Sequence, residues 1–438
     1  MSETVRTVDW KSVFPGPALL VRAAAKSFHP LLIVVGAVGV LLTALGWWLA
    51  GGMFLNTTDL DAAGRLIPAE RPAAAVASVD GLISRWQALE LSGAPLNGWL
   101  GNGPVEDFAL RFWVPGREMM SPTRPLRHVA FLVFGSLWQL AVWALIGGVI
   151  VRKTIVELAL EEPHGVMEAG EFAWRRFGFF FTAPLFPIFG VVVLALPFML
   201  LGLLMRSDTG VFISGLLWIF VALAGLAAAW LLVALMFAFP LLWGAVATEV
   251  DGDHFGAISR MYAYLYQRPL HYVGYVLIVL LLGVVSSILV NAAVDTAVRF
   301  GPWSTSWGAG AVRSAEVNTA VSVPPTRRGL YYNGTRLIRG NRDLLRTLGE
   351  GWGAVFFWTS FAGVYLLMRK AVDDREVDEV LMDDDVAPTP ATVPMTAPAA
   401  AAPPPATILP VETPPPVAEA ATAVDPPQTL PPETPPQT

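Results

Sequence analysis

The sequence predicts an all-α, polytopic helical membrane bundle with about six transmembrane helices, two interfacial cytoplasmic hairpin helices and a disordered C-terminal tail. Three observations carry this prediction. Hydrophobic residues make up 54% of the chain and charged residues only 15%, whereas soluble domains usually carry about 25% charged residues. The mean hydropathy is +0.55. The apolar residues also fall into long segments, and about 20 such residues suffice to cross about 30 Å of hydrocarbon.

Six segments meet this length and divide the chain into three parts. Residues 1–29 form a cytoplasmic N-terminal segment, a six-span membrane domain covers 30–370, and a tail covers 371–438. The spans are predicted at about 31–50, 129–151, 180–204, 212–239, 272–294 and 353–368. The fourth apolar run continues to residue 248, so Pro240 is expected to end or kink that helix and leave 241–247 along the interface. The sixth span is the shortest.

Basic residues that flank the short loops predict that both termini are cytoplasmic. Three pairs lie on the side of the N-terminus: Arg152–Lys153, Arg175–Arg176 and Arg369–Lys370. An arginine-rich stretch at 336–346 lies on the opposite side, but long translocated segments follow this rule weakly. The acidic stretch after Val372 and the Pro-, Ala- and Thr-rich residues beyond it have too little apolar surface to fold, which predicts the disordered tail. We expect an integral protein of a bacterial inner (cytoplasmic) membrane.

The predicted spans lack the residues that chemistry at membrane depth requires. Within their bounds there is no Asp, Glu, Lys, Arg or His. Ion-coupled carriers, pumps and intramembrane proteases usually carry such groups there. Gln139 is among the most polar span residues, and we expect it to form an interhelical hydrogen bond. Cys is absent, which excludes disulfides, Cys-based zinc sites and iron–sulfur clusters.

No catalytic motif of the G-x-S-x-G or H-E-x-x-H type occurs, and no phosphate-binding glycine loop is followed by Lys. We therefore predict no enzyme activity and no cofactor. Two loop clusters combine carboxylates with an imidazole, the donors that could hold a divalent cation: Glu161, Glu162 and His164, and Glu249, Asp251, Asp253 and His254. Acids at the start of the following helix are the simpler explanation of both clusters, so no metal site is predicted.

Two segments predicted on the cytoplasmic side, 160–187 and 248–275, share an order of features. Each opens with acids and His, continues as a short helix with Ala at the matching place (Ala169 and Ala257), and passes through aromatics and Arg into the next span. Such helices are expected to lie at the membrane interface with their rings at headgroup depth. A parallel repeat and generic amphipathic re-entry both explain the likeness.

Charged and aromatic residues of the two hairpins are the candidate contacts for lipid or for a partner protein. They are Arg175, Arg176, Asp251, Asp253, Arg260, Tyr262 and Arg268. The alternative is that these residues are structural anchors that set helix depth and tilt.

The segment EVDGDHFGAISRMYAYLYQRPLHY also carries a resemblance. It resembles a recurrent segment of uncharacterised multi-pass membrane proteins of planctomycete type, and EAGEFAWRRFGFFFTAPLFP, LGWWLAGGMF and YLLMRKAVDDREVDEV resemble their other recurrent stretches. More distantly, its Ala-x-Ser-Arg helix resembles the membrane domain of glycerophosphodiester phosphodiesterases and related domains of unknown function. The resemblance covers about 31–380 and implies a six-span helical membrane protein without an established activity. The paired Glu and His of that phosphodiesterase have no counterpart here.

These observations favour a non-catalytic integral inner-membrane protein that acts as a scaffold or accessory component of a membrane assembly. The alternative is a permease or facilitator for a lipid-like or apolar solute, which needs no charge at membrane depth. Expected partners are membrane lipids and other membrane proteins. The net charge of −6 gives no basic surplus for nucleic acid.

Overall fold

The computed structural model describes residues 15–55, 103–120, 125–248, 254–322, 329–375 and 377. Within these ranges the regular structure is helical and includes no strand, which confirms the predicted fold class. In chain order the helices are α1 (Pro15–Lys26), α2 (Pro30–Phe54), α3 (Pro104–Met119), α4 (Leu126–Ala159), α5 (Val166–Arg175), α6 (Phe177–Thr182), α7 (Leu185–Leu204), α8 (Asp208–Thr248), α9 (His254–Gln267), α10 (Pro269–Ala309), α11 (Ala311–Ser322) and α12 (Leu330–Asp373). The predicted tail beyond residue 377 lies outside the described residues.

Six helical stretches of the described chain are long and apolar enough to cross a membrane. They are α2, α4, α6 with α7, α8, α10 and α12, and each contains one predicted span. The helices run beyond the predicted bounds because their ends continue into polar residues that hydropathy alone does not include. Proline begins α2, α3 and α10, where its missing N–H removes no intrahelical hydrogen bond.

Pro240 does not end the fourth spanning helix, so that part of the prediction is wrong. α8 continues through Pro240 to Thr248, and the segment 241–247 that was expected at the interface is buried in the core. Leu241, Leu242 and Trp243 are all 0% exposed. Neighbouring helices can support a helix across an internal proline, and here α4, α9 and α12 pack against α8.

The shortest predicted span belongs to the most enclosed helix. In the apolar 18-residue stretch of α12, 94% of the residues are buried, whereas the corresponding share is 11% in α8 and 6% in α6 with α7. α1, α2, α3, α4, α8 and α10 all pack against α12. Because protein rather than lipid surrounds it, α12 holds the buried polar residues Thr359 and Ser360 and has the lowest mean hydropathy of these six stretches.

α2 approaches its neighbours through glycines. A Cβ at Gly36 would lie 2.4 Å from the Gly351 carbonyl oxygen of α12, and a Cβ at Gly135 would lie 2.1 Å from the Trp47 ring. Small residues allow such close approach of helices in membranes. Between α2 and α4, Trp47 Nε1 donates a 3.0 Å hydrogen bond to Gln139 Oε1. The interhelical role predicted for Gln139 is therefore confirmed.

Two helices outside the predicted spans complete the core. α1 belongs to the segment that the sequence set apart at residue 29, yet Leu20 and Ala23 are fully buried and α1 packs against α12. α3 lies between the first two spans and inserts Phe108, 3% exposed, among aromatic rings of α4 and α12. Neither helix has an apolar run long enough to stand out by hydropathy, so only packing reveals their place.

The two predicted hairpin helices are α5 and α9. α5 packs against α4 and α9 packs against α8, so each lies on the long helix that precedes it. The matching alanines occupy the first turn of each helix and are buried, Ala169 at 0% and Ala257 at 3% exposure. The likeness thus extends to packing, and a common origin of the two hairpins stays a prediction.

Candidate functional site: the charged end of the bundle

Ionisable side chains are buried where α1, α4, α8 and α12 meet, beside Lys26, Thr248 and Arg369. We call this region the charged end. Arg152, Lys153 and Glu157 of α4 are 2%, 5% and 8% exposed. The predicted second span stopped at 151, but α4 continues to Ala159 and carries these groups inside the bundle. The i, i+4 spacing of Lys153 and Glu157 is a signal for their pairing on a helix, although it does not reveal burial.

Glu157 pairs with two lysines from different helices. Its carboxylate accepts a hydrogen bond from Lys153 of α4 and lies 2.8 Å from the ammonium of Lys26 in α1. Lys153 also donates to the backbone carbonyl of His164. A buried charge is stable only when it is paired and hydrogen-bonded. This network therefore ties α1, α4 and the loop before α5 together.

Arg152 joins three helices. Its Nη1 donates a 2.8 Å hydrogen bond to the carbonyl of Ala247, in the last turn of α8, where the helix dipole is negative. Its guanidinium carbon lies 4.2 Å from the centroid of the Phe172 ring in α5. Arg176 contacts the same ring at 4.9 Å. Phe172 thus meets two cations and fixes the start of the first hairpin against α4 and α8.

His164 lies in the loop between α4 and α5, where its Nδ1 is 3.2 Å from the Glu168 carboxylate. Burial lowers the pKa of His164 below its usual range, the charges of Arg152 and Lys153 lower it further, and Glu168 and Glu157 oppose the shift. The imidazole is therefore mainly neutral at pH 7.

α9 is held by its tyrosines. Tyr264 is fully buried and donates a hydrogen bond to the Asp373 carboxylate at the end of α12; burial raises its pKa. Tyr262 donates a 3.2 Å hydrogen bond to the Leu231 carbonyl of α8, and burial, with the neighbouring Tyr266, raises its pKa to about 12. Both hydroxyls are engaged within the chain.

The structure brings together only some of the predicted contact residues. Arg176 shares the Phe172 ring with Arg152, and Arg260 is half-buried on α9. Arg175 is exposed and lies 3.5 Å from Glu171, while Arg268 is exposed between α9 and α10. The remaining two candidates, Asp251 and Asp253, lie outside the described residues.

Tyr262, a predicted contact for lipid or a partner, donates its hydroxyl hydrogen bond to the Leu231 carbonyl of α8. The buried positions of α9 are Ala257, Met261 and Tyr264. α9 packs on α8 and α12, and the contact role of Tyr262 stays a prediction.

Aromatic rings fill the interior beside the charged end. Trp243 of α8 and Trp358 of α12 stack at 4.2 Å with an interplanar angle of 15°, and both are fully buried. Phe108 of α3 meets Trp143 of α4 edge-on at 4.6 Å and Phe357 of α12 at 4.7 Å. These contacts close the space between α3, α4, α8 and α12.

Comparison of the chain with protein-family models, with curated proteins and with solved structures finds no match. The resemblance stated from the sequence therefore stays a prediction. The contacts of the charged end and of the aromatic interior are therefore what supports a function.

Proposed function

We propose that the protein is a non-catalytic integral inner-membrane protein and serves as a scaffold or accessory component of a membrane assembly. The observation that carries this proposal is the stack of Trp243 on Trp358, with Phe108 and Trp143 beside it. Protein interiors of this kind are close-packed and rigid. A rigid core supports a role in holding other components at fixed positions.

The aromatic core also favours a scaffold over a facilitator. A lipid-like solute needs a path between helices, lined by groups that move apart, and ligand sites are concave. Here the rings of α3, α4, α8 and α12 are in direct contact. Opening a path would separate stacked rings, each pair of which contributes about 0.5–1.5 kcal/mol beyond its buried area.

The charged end supports the same role. Arg152 and Glu157 contact other helices, and Lys153 contacts Glu157 and the loop carbonyl of His164, as expected for residues that hold elements in place. A general acid or base must instead reach a substrate proton. We assign the charged end to the cytoplasmic face, since basic residues favour that side, and we propose that partners bind the Pro-rich sequence after residue 386.

The test compares the full chain with a variant truncated after Val386, both purified in native lipid patches. Mass spectrometry of the co-isolated proteins is expected to show a reproducible set of membrane proteins with the full chain and a depleted set with the truncated variant. A full chain that retains no protein partner above the level of an unrelated six-span control would overturn the scaffold proposal.

A further inference from the structure

Arg369 is a buried cation in the last turns of α12. Its side chain is 4% exposed, and Nη1 is enclosed without a hydrogen-bond partner in the described part of the chain. The guanidinium cannot deprotonate at accessible pH. A buried charge of this kind requires an opposite charge or several hydrogen bonds. The groups around Arg369 therefore decide which partner the guanidinium can have.

The groups around Arg369 are already engaged or are positive. Tyr365, one turn earlier, shares a 2.9 Å hydrogen bond with Thr248 of α8. Asp373, one turn later, accepts the hydroxyl of Tyr264. The positive charges of Arg369 and Arg260 both act on the Tyr365 hydroxyl. The guanidinium groups of Arg260 and Arg369 thus share the corner between α9 and α12 with the carboxylate of Asp373, and their two positive charges exceed its single negative charge.

Arg369 differs from the other buried cations of the charged end. Arg152 has the Ala247 carbonyl and the Phe172 ring, and Lys153 has Glu157. Each of these two cations has at least one partner within the chain. Arg369 lies in the last turns of a helix long enough to span a membrane, and lipid phosphates lie at the level of such helix ends.

We infer that Arg369 binds the phosphate of an anionic phospholipid at the corner between α9 and α12. A guanidinium matches a phosphate bidentately, and Arg369 is close enough to the Tyr365 hydroxyl for its charge to act on that group. The phosphate supplies a partner for Nη1, which has none in the described part of the chain. This site is independent of the proposed scaffold role, because it concerns lipid rather than a protein partner.

The experiment measures thermal unfolding of the full chain in neutral detergent with three additives: short-chain phosphatidylglycerol, short-chain phosphatidylcholine, and inorganic phosphate at matched ionic strength. We expect phosphatidylglycerol at saturation to raise the Tm of the wild type by about 2–5 °C, and phosphatidylcholine to raise it less. In Arg369→Gln we expect the two lipids to raise the Tm equally. Arg299→Gln is the matched control, since Arg299 is exposed and paired with Asp295, and it is expected to keep the larger Tm shift with phosphatidylglycerol.

Each result decides the proposal. An equal shift with both lipids, or a phosphatidylglycerol shift that persists in Arg369→Gln, overturns it. An equal shift with inorganic phosphate retains the phosphate site and overturns lipid as its source. If Arg369→Gln does not fold, Arg369→Lys replaces it, and native mass spectrometry from mixed-lipid nanodiscs counts the phosphatidylglycerol retained. Retention equal to that of the wild type in Arg369→Lys would contradict a site built on the guanidinium fork.

Discussion

At the scale of single residues, Glu157 connects two helices through charge at the charged end. Its carboxylate faces two ammonium groups, Lys26 from α1 and Lys153 from its own helix. Both Glu157 and Lys153 are buried. Removal of one partner from a buried ion pair leaves an uncompensated charge, and that cost far exceeds the net gain from the pair itself.

Glu157→Ala is expected to lower the free energy of unfolding by about 3–5 kcal/mol, because Lys153 stays buried without its counter-ion. Glu171→Ala is the matched control, since it removes an exposed pair with Arg175 and should cost less than about 1 kcal/mol. Denaturation of both variants in the same lipid nanodiscs measures the difference. Equal stabilities of the two variants would contradict the network.

His164 gives the charged end a dependence on pH. Its pKa is lowered in the folded protein, first by burial, so between that pKa and about 6.5 the unfolded chain binds more protons. The contribution of neutral His164 to folding stability is complete above about pH 6.5 and is lost as the pH falls through the pKa of His164 in the folded protein. We expect His164→Asn to reduce the loss of Tm between pH 7.5 and 5.5, while His271→Asn, which alters an exposed side chain, keeps it. Parallel curves for all three proteins would contradict this prediction.

At the scale of secondary-structure elements, the contact of α2 with α12 depends on two glycines. A Cβ at Gly36 would lie 2.4 Å from the Gly351 carbonyl, and a Cβ at Gly351 would lie 2.4 Å from the Ala37 nitrogen. Both obstacles are backbone atoms, which cannot rotate away as a side chain does. The position of α12 among its neighbours therefore rests on small residues rather than on its hydropathy.

Gly36→Ala is expected to lower the free energy of unfolding by about 1–3 kcal/mol, since the helices must separate to admit the methyl group. Gly52→Ala in the same helix meets nothing within 4 Å and should be neutral or stabilise by up to about 1 kcal/mol through helix propensity. Thermal unfolding of both variants in the same lipid separates the two effects. A Gly36→Ala protein as stable as Gly52→Ala would exclude tight packing here.

At the scale of the whole molecule, charge flanks the buried part of α12 at both ends. The helix between Arg346 and Arg369 is about 35 Å long at 1.5 Å per residue, close to the hydrocarbon thickness of about 30 Å. The arginine-rich half of α12 is exposed, with Leu337 and Leu344 at 71% and 52%. The charged end, beside Arg369, lies at the other end of the buried part of α12.

The absence of Cys from the chain allows a direct test of orientation. Glu162→Cys, in the exposed loop after α4, and Ser207→Cys, in the exposed turn before α8, each introduce one thiol. With the charged end in the cytoplasm, a membrane-impermeant maleimide should label Ser207→Cys in intact cells stripped of their outer membrane. It should label Glu162→Cys only after permeabilisation. The reverse pattern would invert the proposed topology.

The sequence alone determined the all-α class and the six apolar segments, because hydropathy over about 20 residues is a local property. It also determined the hydrogen-bonding role of Gln139, because a polar side chain within an apolar span bonds to a neighbouring helix. The tertiary structure decided what depends on neighbours: the burial of 241–247 beyond Pro240, the central place of α12, and the insertion of Phe108. It also decided that Arg152, Lys153 and Arg369 lie inside the bundle. In the sequence, a charged residue next to an apolar run predicts an exposed end of the helix. Its burial becomes stable only when another helix places an opposite charge beside it, as Lys26 lies beside Glu157.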